Sequence, residues 1–564
     1  MISRDVRFYA IGVASLACVA AIGCASAPAT RAVAGPVSAG AADGPLNSAD
    51  RARQALSRLT FGARPGDLAA VEHMGVDSWV DRQLHPERIQ DRVADSVLAQ
   101  LDITDKTALE LFADHPQPNE YRDTTNAALT ARRREEFPTL LRRRTDAIRE
   151  LAPSILLRAS LSDRQLLEVM TLFWENHFSV SSEKMPSPWT LVDYDRVIRA
   201  HALGRFRDLL GAVATSPAML FYLDNYQSAV DSLHPNPGEW LVEQRRRARP
   251  PLGDTSLART VHRRAVGVNE NYARELLELH TLGVDGGYTQ RDVQEVARCL
   301  TGWSIENLPM GGTFAFQAAR HDAGDKTVLG VHIPGGRGIE DGQEVLDILA
   351  RSPSTAHFIA RKLVVHFVSD SAPPALVERA AQTYLHTDGD IREVLRTIIT
   401  SPEFNSRAAY RAKVKTPFEL VASVMRAMQA LPDTTPRSAA QIAALGQPIF
   451  GRSTPDGWPD QAAPWMNAGA LIDRVNLGTR VSANQFPNVL VTRWRPASGL
   501  VGKSAAEIAT AIDDAVLAGD ASPATRNAML EVPLPDAKAN RQQWAGYVAT
   551  LVGIAIGSSD FQRR

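Results

Sequence analysis

The sequence predicts an all-α, mainly helical protein: one large multi-helix domain over residues 48–564, with a small hairpin or extended-loop insertion near residues 311–338. Three observations predict it. Apolar residues recur at helical spacing from Ser48 onward, while the alternation that marks strands is scarce. Capping patterns precede apolar runs, as in Ser162-x-x-Gln165 before "LLEVMTLFWENHF" and Thr289-x-x-Asp292 before "VQEVARCLTGW". The one non-helical island is "GGTFAFQAARHDAGDKTVLGVHIPGGRG", whose glycines and Phe314/Phe316 alternation suggest a hairpin or extended loop. The 564 residues would allow three or four average domains. No stretch after Ser48 has linker composition, so a single domain is expected.

The first 24 residues read as a signal: "MISRDVR" is basic, and the apolar run after it is too short and too rich in Ala and Gly to span a membrane. "AIGC" resembles a bacterial lipoprotein box, which makes Cys24 the predicted lipidation site and new N-terminus. Cleavage after "ASA", Ala25 to Ala27, is the alternative. Either route exports the protein, to the periplasm or outer membrane as an anchored lipoprotein or into the medium as a secreted one. Residues 25–47 form an Ala/Gly/Pro/Ser-rich tether. Order is expected from Ser48, a capping serine for "ADRARQALSRL". "DLAAVEHMGVDSWVDRQL" reads as two short helices broken at Gly75. "TSPAMLFYL", "TSPEFNSR" and "GSSDFQRR" suggest a recurring helix exit. Pro235 to Ala258 and Pro432 to Leu445 read as insertions.

Composition excludes several classes. With 44% hydrophobic residues, 22% charged residues and a formal net charge of −1, the chain is an ordinary globular protein without a global field for nucleic acid. Membrane contact is expected only through the N-terminal lipid. The basic runs "ARRREEF", "LRRRTD" and "EQRRRARP" sit among acids or beside proline and read as solvated faces. Of three cysteines, Cys18 and Cys24 lie in the signal, so Cys299 has no disulfide partner and reads as a buried structural thiol. There is no GxSxG elbow, P-loop or dinucleotide fingerprint.

The chemistry-bearing residues centre on "NENYARELLELHTLG", Asn269 to Gly283. At about 100° per residue, Tyr272, Ala273, Leu276, Leu277, Leu279 and His280 share one side, and Asn271, Glu275 and Glu278 the other, with Arg274 at its edge. In "QLLEVMTLFWENHF", His177 shares the face of Leu166, Met170, Phe173 and Trp174. Two inward histidines, together with His321 and Asp322 on the "RHDAGDK" loop, suggest a polar pocket. A divalent metal would use His177 and His321, although no HExxH or comparable spacing supports one. Trp458 and Trp465 in "TPDGWPDQAAPW" either line a cleft or anchor their loop.

"RLTFGARPGDLAAVEHMGVDSWVDRQL", "FWENHFSV", "SPAMLFYLDN", "NENYARELLELHTLGVDGGYTQRDVQEVARCLTGW", "RHDAGDKTVLG", "SPEF" and "GWPD" occur in this order. Together they resemble the bacterial family known as domain of unknown function 1800, from about Arg51 to "DFQRR". Glu175 stands where members often carry His. The resemblance implies export and assigns no activity. Two readings follow. One is an exported hydrolase or lyase acting on a cell-envelope or extracellular polymer. Its catalytic residues would be Glu275, Glu278, His280, His321 and Asp322, with Asn271, Arg274, Asn176 and Trp458 binding substrate. The other is a non-catalytic envelope scaffold or binding protein in which the same residues form a buried hydrogen-bonded network.

Overall fold

The computed structural model describes residues 44–114, 150–185, 189–230, 267–308, 312–432, 434–536 and 538–564. All fall in one unit, Asp43–Arg564, built of helices around one continuous apolar core. The helix α1, Ser48–Leu59, is capped by Asn47, whose side chain accepts from the Asp50 amide at 2.8 Å. The cap is thus one residue earlier than the expected Ser48. The helices α2, Asp67–Met74, and α3, Val76–Leu84, part at Gly75, where φ is 85° and a side chain would be strained.

The helix α4, Gln165–His177, lacks the Ser162 box. The Ser162 hydroxyl instead donates to buried Asp91 and accepts from the Arg164 amide at 3.0 Å, while Gln165 bonds the chain behind it. The Glu175 carboxyl of α4 is buried against Asp195 of α5, Trp189–His201. Burial and the Asp195 charge push Glu175 well above the usual range. Asp195 resists its own burial through Arg158 and Arg199 and stays low.

The helix α6 runs from Glu270 to Glu275 and continues as a π-turn, Leu276–Thr281. The Leu282 amide donates to the Leu277 carbonyl at 2.8 Å, and the Thr281 hydroxyl to the Leu276 carbonyl at 2.6 Å. The wider turn shifts the wheel, so Leu279 is only half-buried while His280 is buried. The helix α7, Gln290–Cys299, has the expected Thr289/Asp292 capping box. Replacing Thr289 with alanine should cost about 1 kcal/mol in urea unfolding, with an unchanged slope.

The chain leaves α7 sooner than its periodicity suggested. It turns at Gly302, where φ is 77° and a Cβ would lie 2.7 Å from the Gln317 carbonyl oxygen. Trp303 therefore opens a strand. Strand β1, Trp303–Glu306, pairs antiparallel with β2, Thr313–Phe316, in the register Trp303↔Phe316. A second hairpin joins β3, Lys326–Val328, to β4, Val331–Ile333. The non-helical island is thus two hairpins, the first starting outside it. Helix α8, Ile339–Ala350, lays Gly342 on the buried Trp303 indole.

The three serine signals mark helix re-entry as much as exit: Ser216 leads into Pro217–Tyr222 and Ser558 into Ser559–Gln562, whereas Ser401 leads into a turn. Pro432 to Leu445, read as an insertion, carries the helix Pro436–Ala444. Pro235 to Ala258 and the three basic runs lie outside the described residues. Cys299 is fully buried, and burial pushes its thiol far up, as expected of a structural thiol. No described helix is long and apolar enough to cross a membrane.

Candidate functional site

Helix α9, Pro353–Phe367, starts at the Ser352 cap with proline in its first turn. Ile359, Ala360, Leu363, Val364 and Phe367 are buried in the core. Phe358, Arg361, Lys362, Val365 and His366 follow the i, i+3, i+4, i+7, i+8 spacing of a single helix face. That face forms one wall of a cleft of about 330 Å3. The facing wall comes from Val169, Phe173, Asn176 and His177 of α4. Thr416 and Glu419 at the start of α10, Pro417–Ala427, and the loop from Asp456 to Gln461 complete it.

At one end His177 is buried and locked. Its Nδ1 lies 2.9 Å from Lys362 Nζ and its Nε2 lies 3.1 Å from the His280 carbonyl oxygen. The ammonium can only donate and the carbonyl only accept, so the hydrogen sits on Nε2 of a neutral imidazole. Burial, then the Lys362 charge, hold His177 well below the ordinary value. The same causes push His280 behind it down to about 3. Burial lowers Lys362 itself to about 8, with Asp460 and Asp456 opposing.

At the other end His366 Nδ1 lies 2.9 Å from Asp460 Oδ2, and His366 Nε2 is buried without a partner among the described residues. Burial raises Asp460, but His366, Lys413 and Arg564 outweigh it and keep the carboxylate charged. Lys413 Nζ donates to the Asp460 carbonyl and to Asp370, each at 2.6 Å. Arg564 binds Glu419 at 3.0 Å and approaches Asp460 at 3.8 Å.

The "GWPD" loop is fastened by Asn176, which imitates a peptide group. Its Nδ2 donates to the Trp458 carbonyl at 2.8 Å, and its Oδ1 accepts from the Trp458 amide at 2.6 Å. Trp465 is buried and donates to the Pro459 carbonyl at 2.9 Å, so it anchors the loop. Trp458 is half-buried and lines the cleft, with the Arg452 guanidinium 5.4 Å from its ring.

The expected site residues divide into three places. Asn176, His177 and Trp458 line the cleft, and His280 lies against His177 with ring centroids 6.3 Å apart. Asn271, Arg274, Glu275 and Glu278 are absent from its walls. Asn271 is exposed, Arg274 donates to Gln290 at 2.9 Å, and Tyr288 donates to Glu278 at 3.3 Å. Burial, Glu278 and Asp456 all raise Glu275, which sets the α6 carboxylates within electrostatic range of the cleft edge.

His321 and Asp322 belong to a third, buried cluster. Asp341 accepts from Lys326 at 2.6 Å and from His321 at 3.1 Å, and meets Arg337 at 3.3 Å. Asp322 accepts from Arg298 at 2.7 Å, and its carbonyl accepts from Lys326. Both nitrogens of His177 are engaged, one by Lys362 and the other by the His280 carbonyl. Among the described residues no group of three or more His, Cys, Asp or Glu side chains is placed to hold a metal ion.

Sequence reasoning missed Lys362, His366 and Asp460. The i, i+4 spacing of Lys362 and His366 on one helix face, and the aspartate in "GWPD", were the available signals. Their partners lie 185 and 94 residues away in the chain, beyond the reach of periodicity.

No curated protein and no solved structure matches the chain. The family model described as "Protein of unknown function (DUF1800)" matches residues 54–563, nearly the whole length, and the chain accordingly belongs to the DUF1800 family.

Proposed function

We propose that the cleft is the active site of an acid–base enzyme of hydrolase or lyase type, with Lys362 as the proton-transfer group and His366, oriented by Asp460, as its counterpart. The observation that carries this reading is the placing of both groups on one face of α9, in one cleft, each in contact with a second polar group: Lys362 with His177 and His366 with Asp460. A carboxylate on Nδ1 fixes the imidazole tautomer and leaves Nε2 to take a proton. A lysine lowered toward neutrality can donate a proton to a leaving oxygen or nitrogen and recover it at physiological pH. Its folded value of about 8 lies below the ordinary value, so the cost of burying the ammonium is fully present below pH 8. That cost is relieved as the pH rises toward the ordinary value of about 10.4. At pH 7 the group is the acid.

The burial and mutual pairing of His321, Asp322, Lys326 and Asp341 support a structural role for that cluster, as in the scaffold reading. The signal-like N-terminus with Cys24 supports placing the chemistry outside the cytoplasm, on an envelope or extracellular polymer or a fragment of one.

Competitive labelling with a trace amine-reactive reagent between pH 6 and 11 tests the reading. Lys362 should reach half-maximal reactivity near pH 8, whereas the amine of a short lysine peptide added as reference follows the ordinary value of about 10.4. Co-titration of Lys362 with that reference would end the acid–base assignment. In a turnover assay Lys362→Met should lower kcat by about 10²–10⁴-fold, with the thermal midpoint within a few degrees of the parent.

A further inference from the structure

The charges lining the cleft do not cancel. Its three acidic residues are each matched: Glu419 by Arg564 at 3.0 Å, Asp456 by Arg452 at 2.8 Å, and Asp460 by Lys413 at 3.7 Å and Arg564 at 3.8 Å, with His366 Nδ1 on its Oδ2 at 2.9 Å. Two cationic residues on α9 are not so matched. Lys362 spends one of its three donors on neutral His177 and has no carboxylate within ion-pair distance among the described residues. Arg361, next in the chain and exposed, has no hydrogen bond or ion pair among the described residues. Asp456 and Asp460 are felt at Lys362 but are committed elsewhere. The remaining wall is apolar and aromatic, with Phe61, Phe173, Phe358 and Trp458.

We infer that the cleft binds a small organic acid, its carboxylate held by Lys362 and Arg361 and its apolar, preferably aromatic, body between Phe61, Phe173, Phe358 and Trp458. The inference rests on reading this cleft as the functional site and names the chemistry of what enters it. An unmatched ammonium at an apolar wall calls for a counter-ion, since a buried charge is tolerated when paired. The donors are two cations, and Asn176 is occupied by Trp458, so a two-oxygen monoanion fits better than a phosphate with three acceptor oxygens. The volume lies at the lower end for small-molecule sites, which limits the body to one ring or a short acyl chain.

Titration calorimetry with the full chain and three probes decides it. Phenylacetate should bind with a measurable Kd, phenylacetamide (same shape, no charge) at least tenfold more weakly, and phenyl phosphate no better than phenylacetate. Arg361→Ala changes an exposed residue and should fold; it and Lys362→Met should each weaken phenylacetate at least tenfold without changing the weaker amide affinity. Equal affinity for acid and amide, tighter binding of the phosphate, or absence of phenylacetate binding would each overturn the inference. Anion preference together with a Lys362 that titrates like a surface lysine would leave this inference standing and remove the acid–base role. The converse pattern would remove only the inference.

Discussion

Replacing Asp341 with alanine is expected to destabilise the protein by about 3–5 kcal/mol, enough that little soluble protein accumulates at 37 °C. The reason is what it leaves behind. Lys326 and Asp341 have no exposed side-chain surface, and Asp341 also receives His321 and meets Arg337. Without the carboxylate a fully buried ammonium keeps only the carbonyls of Asp322 and Gly324. Lys326→Met should cost less, because His321 and Arg337 still face Asp341. The double change Lys326→Met with Asp341→Leu should recover part of the loss, since removing both ions avoids an unpaired one. Urea midpoints at pH 7 measure all three. The pH dependence has a defined sign. Burial raises Asp341, but the hydrogen bonds from His321 and Lys326 lower it further, so its folded value lies below its unfolded one. Its contribution is complete above the ordinary carboxylate value and is lost as the pH falls through the folded value, so Asp341→Ala should flatten the acid limb of the stability profile.

Gly457→Ala is expected to dismantle the cleft. Gly457 has φ at 74°, and an added Cβ would lie 2.2 Å from the Asn176 carbonyl oxygen and 2.9 Å from its Oδ1. Left-handed backbone costs a non-glycine residue about 1–2 kcal/mol, and the clash is with main chain that cannot step aside. The loop must move, and both Asn176–Trp458 bonds go with it, at about 1 kcal/mol each. The expected total is about 3–4 kcal/mol, with phenylacetate binding lost because Trp458 no longer closes its side. A variant that unfolds at the parent's urea midpoint and binds phenylacetate normally would show that the loop is not held as described.

The helical architecture was legible because periodicity and caps are local: Thr289 and Asp292 are three residues apart, and Gly75 separates its two helices by its own φ. The inward direction of His177 and His280 was legible for the same reason. The cleft was not. It depends on Lys362 meeting His177 and on Asp460 meeting His366, contacts made by folding between segments whose patterns say nothing of each other. The acidic face of "NENYARELLELHTLG" drew attention by composition, yet it faces α7 through Arg274–Gln290 and Gln290–Glu270 and reaches the cleft only electrostatically. His321 and Asp322 looked catalytic because the same side chains that move protons also satisfy buried charges, and sequence does not separate those uses.

The π-turn at Leu276–Thr281 has a consequence for insertions and deletions. Its i→i+5 bonding accommodates one residue more than an α-helical turn would, so this stretch behaves as an α-helix carrying a single-residue insertion. Removing one residue there would let α-helical bonding close up and re-space the carbonyls within the turn, drawing the His280 carbonyl away from His177. The imidazole would lose the acceptor of its Nε2 hydrogen while keeping Lys362 on Nδ1. A one-residue change of length in one helix would thus be felt as an unsatisfied buried N–H on another.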